Sequence, residues 1–455
     1  MTASMWSVDR STYAAPPDPR IVGILIGASA AVVAVRFPGV PPWLNLSAVF
    51  VVAAVLYVCV KDFKSFLDIR LTSVDYLLSL YVFLRVFTDL VDASTLAVSI
   101  PLASIADAVV ILCAYATVRA VVRSVGDAIG LLGTMIYPAF VVAFIAVLQL
   151  LDIGQITAVL AEHTRSGGLN GRLERGWSEI RATSTIGHWT ALGGYLVCMT
   201  AVTCALLLSD DGGVRTARVR TLILATLLMG ALATLTFAPI VVVCAIIGFT
   251  LYRLRDRAGF MIGAIAAPSV VLLVLIAPQL IARFDKQVSN DGRLVSEYSW
   301  LPESIAFRVD VWVREALPAA NQRLLTGWGS DVYGRIGQEG APPELHWMSP
   351  ESEWVRTLVS GGAILLLIQL CLIAVAVRWT MRASRLSELN WCAPVTWALI
   401  GLVCMSIVHS HFTNRGVPLA IWPVVAAVVS AAVVYRTGVE AGGTRTGAGR
   451  IGVRS

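Results

Sequence analysis

The sequence has little charge. Only 14% of its 455 residues are Asp, Glu, Lys or Arg, whereas 57% are hydrophobic. An average soluble domain is about 25% charged, so too few polar side chains remain to cover a water-facing surface. The composition therefore excludes a soluble enzyme and a disordered protein, and it predicts a polytopic membrane protein.

Cysteine patterns and familiar catalytic signatures are also missing. None of the eight cysteines lies in the segments 152–188 or 282–353, and no two have the CxxC spacing. This excludes a disulfide scaffold and a cysteine-ligated metal site. The sequence has no Walker loop, HExxH or Gly-x-Ser-x-Gly element. Metal-dependent lipid-phosphate-sugar transferases of the membrane usually have acidic residues in the first outer loop. Here that loop, 37–43, has no carboxylate, which argues against this class. Glu351 and Glu353 remain one candidate pair for a metal.

Long apolar segments account for most of the chain. A membrane span needs about 20 apolar residues, and backbone exposed to lipid must be helical because no water satisfies its polar groups. The sequence therefore predicts an all-α protein with about twelve transmembrane helices. These are 21–36, 44–60, 72–92, 98–118, 129–151, 189–208, 221–237, 239–252, 259–281, 354–377, 393–409 and 415–435.

Lys and Arg cluster in alternate connections, which predicts that both termini are cytoplasmic. The formal net charge of +6 is then a consequence of topology, and nucleic acid is not an expected partner. The predicted organisation is a cytoplasmic tail 1–20, transmembrane helices 1–9 over 21–281 with outer loop 152–188, a large outer loop 282–353, helices 10–12 over 354–435, and a disordered cytoplasmic tail 436–455.

Three motifs, the second of them in two parts, lie at the predicted outer loops. Residues 181–195 read RATSTIGHWTALGGY and enter the sixth span, and residues 349–362 read SPESEWVRTLVSGG and enter the tenth. Between them lie FRVDVW at 307–312 and LLTGWG at 324–329. In this order the motifs resemble those of the O-antigen ligase and polysaccharide polymerase family of membrane glycosyltransferases.

The resemblance implies a GT-C-like enzyme without a cofactor or metal in the bacterial plasma (inner) membrane. Its partners would be a polyprenyl-diphosphate-linked glycan donor, a glycan or glycolipid acceptor, and the lipid bilayer. The chain departs from the family at Ala238-Pro239, where Ser-Arg is frequent, and at Pro350, where the ligase branch has histidine. The acidic Glu351 before Ser-Glu-Trp-Val-Arg is closer to the polymerase branch.

Glycosyl transfer needs cations that hold the departing diphosphate and a base for the acceptor hydroxyl. Arginine suits the first role because its planar fork pairs with two phosphate oxygens. The predicted catalytic residues are Glu351 as base, Arg308 and Arg181. The predicted substrate-binding residues are Arg356, Arg85, His188, His346, Trp312, Glu353 and Arg415. His409, His411 and Asn414 lie in the same short turn as Arg415.

Structural roles explain several of these residues equally well. Arg181 and Arg356 stand where arginine commonly extends to lipid headgroups, and Glu351 and Glu353 could open a helix that Ser349 caps.

Ion pairs are the alternative for the other two arginines. Arg308 could pair with Asp310 or Glu315. Arg85 lies within a span, where charges are usually paired or functional, and Asp107 or Asp89 is the expected partner.

A transporter or a lipid-linked glycan flippase is the alternative function, since twelve spans with both ends inside is a frequent transporter layout. Transporters usually contain internal repeats with interrupted helices, and the sequence shows no repeat. A transporter also has no need of a long outer loop before its last three helices. Membrane charges such as Arg85 and Asp107 suit either class.

Overall fold

The computed structural model of the protein is built from helices. Its described residues contain one isolated backbone bridge, between Val35 and Thr164, and no strand. These residues are 15–36, 45–96, 98–164, 169–170, 173, 181–209, 213–255, 258–288, 297–298, 300–414 and 416–447. The predicted all-α fold is confirmed for this part of the chain.

Each of the twelve predicted apolar segments overlaps a helix, and four shorter helices with defined bounds lie between them in the described part of the chain. In chain order the helices are α1 (Pro19–Ala31), α2 (Leu46–Asp62), α3 (Lys64–Leu67), α4 (Ser73–Thr95), α5 (Leu102–Val121), α6 (Val125–Leu150), α7 (Ile156–His163), α8 (Trp189–Leu208), α9 (Val214–Ala233), α10 (Phe237–Arg253), α11 (Ala258–Val288), α12 (Glu303–Val311), α13 (Leu317–Gln322), α14 (Glu353–Ala383), α15 (Ala393–Met405) and α16 (Val417–Gly447).

Eight helices among the described residues are long and apolar enough to cross a membrane. They include α5, α6, α8, α9, α11, α14 and α16, and α15 joins them when the turn that begins at Ser387 is counted. The chain is therefore a multi-pass α-helical membrane protein, while the number twelve and the sidedness stay predictions.

The last helix differs from its prediction. Residues 436–447 were expected to be disordered, but α16 continues through them to Gly447. Propagating an existing helix adds one hydrogen bond for each residue that is fixed, so the loss of hydrophobicity after 435 does not end it. Residues 448–455 lie outside the described part.

Helices α8 and α16 form the centre of the bundle. In each, 89% of the most apolar stretch is buried, against 28% in α11. Small residues allow neighbouring helices to approach α8 closely. A Cβ on Gly193 would lie 2.5 Å from Cγ of Pro239, and a Cβ on Gly194 would lie 2.7 Å from Nδ1 of His411. Larger residues at these positions would push α10 and the turn before α16 away.

One end of the bundle, which we call the loop end, carries the segment 300–352. Helices α4, α9 and α15 end here, whereas α8, α14 and α16 begin here. Two acids of α4 hold the segment in place. Asp92 accepts hydrogen bonds from Arg323 at 2.9 Å and Arg335 at 2.6 Å, and Asp89 accepts the backbone N–H and hydroxyl of Ser330 at 2.6 and 2.8 Å.

Helix α14 is broken near its start, at Gly362, where φ is +70° and ψ is −177°. The loop satisfies backbone groups at the break, because the N–H groups of Trp328 and Gly329 donate to the carbonyls of Val359 and Ser360 at 3.0 and 2.8 Å. Irregular backbone within a transmembrane helix is tolerated where protein satisfies it in this way. The break therefore fixes the LLTGWG motif against the membrane domain.

The contact at the break predicts a large effect of Gly327→Ala. Gly327 has φ of +70°, and an added Cβ would lie 2.5 Å from the backbone of Ser360 and Gly361. We expect a lower thermal unfolding midpoint, because the positive φ alone costs a larger residue about 1–3 kcal/mol and the close contact adds to it. Gly337→Ala is the matched control, since Gly337 has φ of +77° but open space around it. Equal midpoints for the two variants would contradict the packing argument.

Candidate active site at the loop end

Arg308 and Glu351 meet at the loop end although 43 residues separate them in the chain. Nη2 of Arg308, on α12, lies 3.4 Å from Oε2 of Glu351. The guanidinium also donates to the carbonyls of Ser304 at 2.5 Å and Val408 at 3.2 Å. The side chain of Arg308 is 17% exposed, so this cation is held in place and remains partly accessible.

Oε2 of Glu351 also lies 3.2 Å from Nδ1 of His409, in the turn before α16. The same ring approaches Arg308, whose Nη2 is 3.5 Å from Nε2. These partners assign the tautomer in which Nδ1–H donates to the carboxylate and Nε2 accepts from the guanidinium. Among the described residues, Oε1 of Glu351 accepts no hydrogen bond, so one carboxylate oxygen is held and the other is open.

The backbone aims Glu351 away from the helix that follows. Its φ is +54°, in the left-handed region that larger residues seldom adopt. Trp312, in the π-helical turn Trp312–Ala316, donates its indole N–H to the carbonyl of Pro350. Helix α14 begins only at Glu353, with Ser352 as its N-cap residue. Glu351 therefore precedes the helix and Ser349 does not cap it. The structural alternative is wrong for Glu351, whereas Glu353 does stand in the first turn of α14.

Glu353 has a different role from Glu351. It is fully buried and accepts hydrogen bonds from Gln369 at 2.8 Å and from the hydroxyl of Thr413 at 3.0 Å. Its N–H donates to the carbonyl of Ser406 at 2.9 Å. Glu353 thus fastens the start of α14 to the turn between α15 and α16.

Arg181 is buried at the junction of α9 and α10. It donates to the carbonyl of Thr234 at 3.1 Å and to the hydroxyl of Thr236 at 2.5 Å, and its guanidinium lies 4.4 Å from the ring centroid of Trp189. Only 6% of the residue is exposed, so Arg181 does not extend to lipid headgroups. His188 caps α8 and contacts the hydroxyl of Thr190 at 2.7 Å.

The charges in this group set the ionisation of Glu351 and His409. Burial raises the pKa of Glu351. The hydrogen bond and charge of His409, together with the charges of Arg308 and His188, lower it by more. The net pKa of Glu351 lies below its ordinary value. Burial lowers the pKa of His409, and the charges of Arg308 and Arg181 lower it further against the opposing effect of Glu351. At neutral pH the carboxylate is ionised and the imidazole is neutral.

His411 lies beside this group. The residue is 1% exposed, and neither ring nitrogen has a hydrogen-bond partner among the described residues. Burial, followed by the charges of His409 and His188, lowers the pKa of His411 to about 3. Its imidazole is therefore a neutral group that fills the space beside Gly194.

A pH dependence follows from the His409 contact. If ionised Glu351 is the base, activity is present above its lowered pKa and is lost as the pH falls through that value. We expect His409→Phe to move the acidic limb of the pH–rate profile to higher pH, because the variant removes the largest of the effects that lower this pKa. His346→Phe, at an exposed histidine of the loop, is the control. An unmoved acidic limb in His409→Phe would rule out this coupling.

Arg85 and Arg356 face a second cavity, between α4, the loop and the start of α14. Arg85 donates to the hydroxyl of Ser104 at 3.0 Å, and that hydroxyl lies 2.6 Å from the hydroxyl of Ser330. No ion pair joins Arg85 to Asp107 or Asp89, all three being described residues, so the predicted pairing is wrong. Ser104, which in turn contacts the loop residue Ser330, takes the place of the expected carboxylate.

Other predicted site residues lie elsewhere. His346 is exposed, and its Nδ1 contacts the carbonyl of Glu344 at 2.8 Å. Arg308 pairs with neither Asp310 nor Glu315, because Asp310 pairs with Arg314 at 2.7 Å and Glu315 accepts two backbone N–H groups. Arg415 lies outside the described residues.

Two sets of residues at the loop end were not predicted from the sequence. Thr234 and Thr236, which hold Arg181, lie at the end of the seventh predicted span, close to the Ala238-Pro239 departure from the family. Ser330 follows directly after the LLTGWG motif, and its place in the sequence was the available signal for a role at the loop end.

Fold and site together define a multi-pass helical membrane protein with a charged cluster and a docked polar segment at one end of the bundle. Residues 221–370 match the family model described as O-antigen ligase. No curated protein matches the chain. The matched residues run from α9 into α14 and include Arg308, Glu351 and Arg356. The resemblance to the O-antigen ligase family is thereby confirmed, and this domain supports a membrane glycan ligase or polymerase kind of function.

Proposed function

We propose that the protein transfers a glycan from a polyprenyl-diphosphate-linked donor to a glycan or glycolipid acceptor, with the loop end at the outer face of a bacterial plasma membrane. The observation that carries this proposal is the arrangement of Glu351, held through one oxygen by Arg308 and His409 while the other oxygen is open. Arg181 acts electrostatically on the same group. No metal or cofactor is part of the proposal.

Arg308 and Arg181 would stabilise the departing diphosphate. When the bond between the anomeric carbon and the phosphate oxygen breaks, the electron pair remains on the diphosphate, and fixed cations lower the energy of that state. Both guanidinium groups are anchored by protein carbonyls, so little reorganisation is needed at the moment of transfer. Both also lie in largely buried surroundings, where charge interactions are stronger than in water.

Glu351 would accept the proton of the acceptor hydroxyl as its oxygen attacks the anomeric carbon. Its side chain is 29% exposed, so an acceptor can reach Oε1. The contacts of Oε2 with Arg308 and the neutral His409 keep the carboxylate oriented and ionised. General-base assistance of this kind typically contributes 10²–10⁴-fold to a rate.

The decisive experiment uses donors from the source organism. Carrier-linked glycans that accumulate in a deletion strain are extracted and mixed with the purified protein in liposomes. We expect longer or newly ligated glycans, detected by mass spectrometry, and the same yield after EDTA treatment. Flipping of the donor across the liposome membrane without any new glycosidic bond would favour the flippase alternative and contradict the proposal.

A further inference from the structure

The cavity that Arg85 and Arg356 share is built to receive an anion. Tyr81, Ser330 and Thr357 also line it. Arg356 is half-buried and makes no side-chain hydrogen bond within the described residues. Among the described residues, the guanidinium of Arg85 contacts the hydroxyl groups of Ser104 and Tyr81. Two cationic forks therefore face one small space with most of their donors unused.

The polar groups around these arginines support the same conclusion. Thr357 is 2% exposed, and its hydroxyl has no hydrogen-bond partner among the described residues. A buried polar group without a partner is rare. Asp89 is the acid of this cavity, and both of its oxygens accept hydrogen bonds from Ser330. The cavity thus offers donors to a ligand and has more positive than negative charge.

An apolar groove continues from this cavity. Leu84, Phe87 and Ile364 line a space between α4 and α14, and Thr88 and Leu365 line both spaces. Phe87 is 52% and Ile364 47% exposed, on helices that belong to the membrane domain. A polar cavity that continues into an exposed apolar groove suits a lipid, because the charged headgroup and the hydrocarbon chain would each contact a surface of matching polarity.

This cavity differs from the one at Glu351. Neither Arg308, Arg181, Glu351 nor His409 lines it. Glu353 lies two residues after Glu351 and contacts Thr413, which does line it. The first residues of α14 therefore have the catalytic group on one side and the second cavity on the other.

We propose that Arg85 and Arg356 bind the phosphate or diphosphate headgroup of a second lipid, the acceptor of the proposed transfer, whose hydrocarbon chain lies in the groove between α4 and α14. The identification of this lipid as the acceptor rests on the proposed function. The binding of a phosphorylated lipid does not depend on it. A transferase that joins two lipid-linked molecules needs two headgroup sites, and the start of α14 lies between the two candidates.

The binding test uses a photoreactive polyprenyl diphosphate and the full-length protein in nanodiscs. We expect crosslinks to peptides that contain Phe87 or Ile364. Arg356→Gln removes no hydrogen bond among the described residues, so it should fold normally. We expect it to weaken labelling about ten- to hundredfold, as is typical for lost hydrogen bonds to a charged group. Arg314→Gln, at an exposed loop arginine, should label like the wild type.

Competitors separate the sources of the phosphate. Unlabelled polyprenyl diphosphate should abolish the crosslinks, whereas inorganic pyrophosphate or neutral polyprenol at the same concentration should not. Equal competition by pyrophosphate would show a site for the free anion and overturn the lipid assignment. Unchanged labelling in the double variant Arg85→Gln/Arg356→Gln would overturn the headgroup assignment.

Kinetics separate this inference from the proposed function. In the liposome assay, Arg356→Gln should raise the KM for acceptor about ten- to hundredfold and leave the KM for donor unchanged. A raised donor KM with an unchanged acceptor KM would overturn the acceptor assignment while leaving glycan transfer intact. Absence of transfer in the wild type with retained, Arg356-dependent labelling would refute the proposed function and retain the lipid site.

Discussion

Arg308→Gln is expected to lower the rate of glycan transfer by about 10²–10³, the typical loss when one preorganised donor to a developing oxyanion is removed. Glutamine is shorter than arginine but is also a good helix former, so α12 should be retained, whereas the positive charge beside the departing diphosphate is lost. The same variant removes a cation that lowers the pKa of Glu351, so the acidic limb of the remaining activity should move to higher pH. Initial rates at several pH values measure both effects.

The controls for Arg308 distinguish charge from geometry. Arg314→Gln changes an arginine in the turn after α12 whose side chain is 60% exposed and pairs with Asp310 and Glu297. It should retain wild-type activity. Arg308→Lys keeps the charge but not the two-pronged geometry, so it should recover part of the rate. If Arg308→Gln transferred glycan at the wild-type rate, Arg308 would have no role in the chemistry.

The helices could be predicted because each apolar segment carries its own signal. Hydrophobicity over about 20 residues is sufficient to identify a span, and every predicted segment overlaps a helix. The ends were less predictable, since no local rule requires a helix to stop where its hydrophobicity does. α11 continues to Val288 and α16 to Gly447 for this reason.

The candidate site could be predicted in part, because motif order brings Arg308 and Glu351 to one end of the bundle. The partner of Arg308 could not be predicted. Asp310 is only two residues from Arg308, yet it pairs with Arg314 one helical turn later. Partner choice depends on how α12 is oriented against the turn that carries His409, and this orientation is a tertiary property.

Glu351 and Glu353 show the same limit at closer range. Both acids precede or open α14, and their sequence neighbourhood is nearly the same. The left-handed backbone at Glu351 turns its side chain to Arg308, whereas the helical Glu353 is buried against Gln369. A single backbone dihedral angle assigns one carboxylate to the cluster and the other to helix packing.

Arg85 illustrates why a docked loop is hard to foresee. Similar depth in antiparallel helices predicted a pairing with Asp107, but the structure brings Ser330 from 241 residues after Asp89 into this region. Hydropathy places a side chain along the membrane normal, and it contains no information about a loop that folds back between two helices.

The second large effect is expected for Glu351→Gln, which should lower the rate of transfer by about 10²–10⁴, the range attributed to a positioned general base. Glutamine has the same size and keeps an oxygen for Arg308 or an N–H for His409, but its amide does not accept a proton at neutral pH. The KM for donor should stay the same or fall, because Arg308 loses its counter-charge and binds the diphosphate more readily. Initial rates with varied donor measure both parameters.

Glu353→Gln is the matched control, two residues along the chain. It alters a fully buried carboxylate that joins α14 to the turn before α16, so its expected effect is a lower unfolding temperature with the acidic limb of the pH–rate profile unchanged. Glu351→Gln should instead abolish that limb, because no carboxylate is left to be protonated. A Glu351→Gln enzyme with wild-type turnover would remove Glu351 as the base. The proton would then have to go to another acceptor, and the His409→Phe variant tests whether that acceptor is His409.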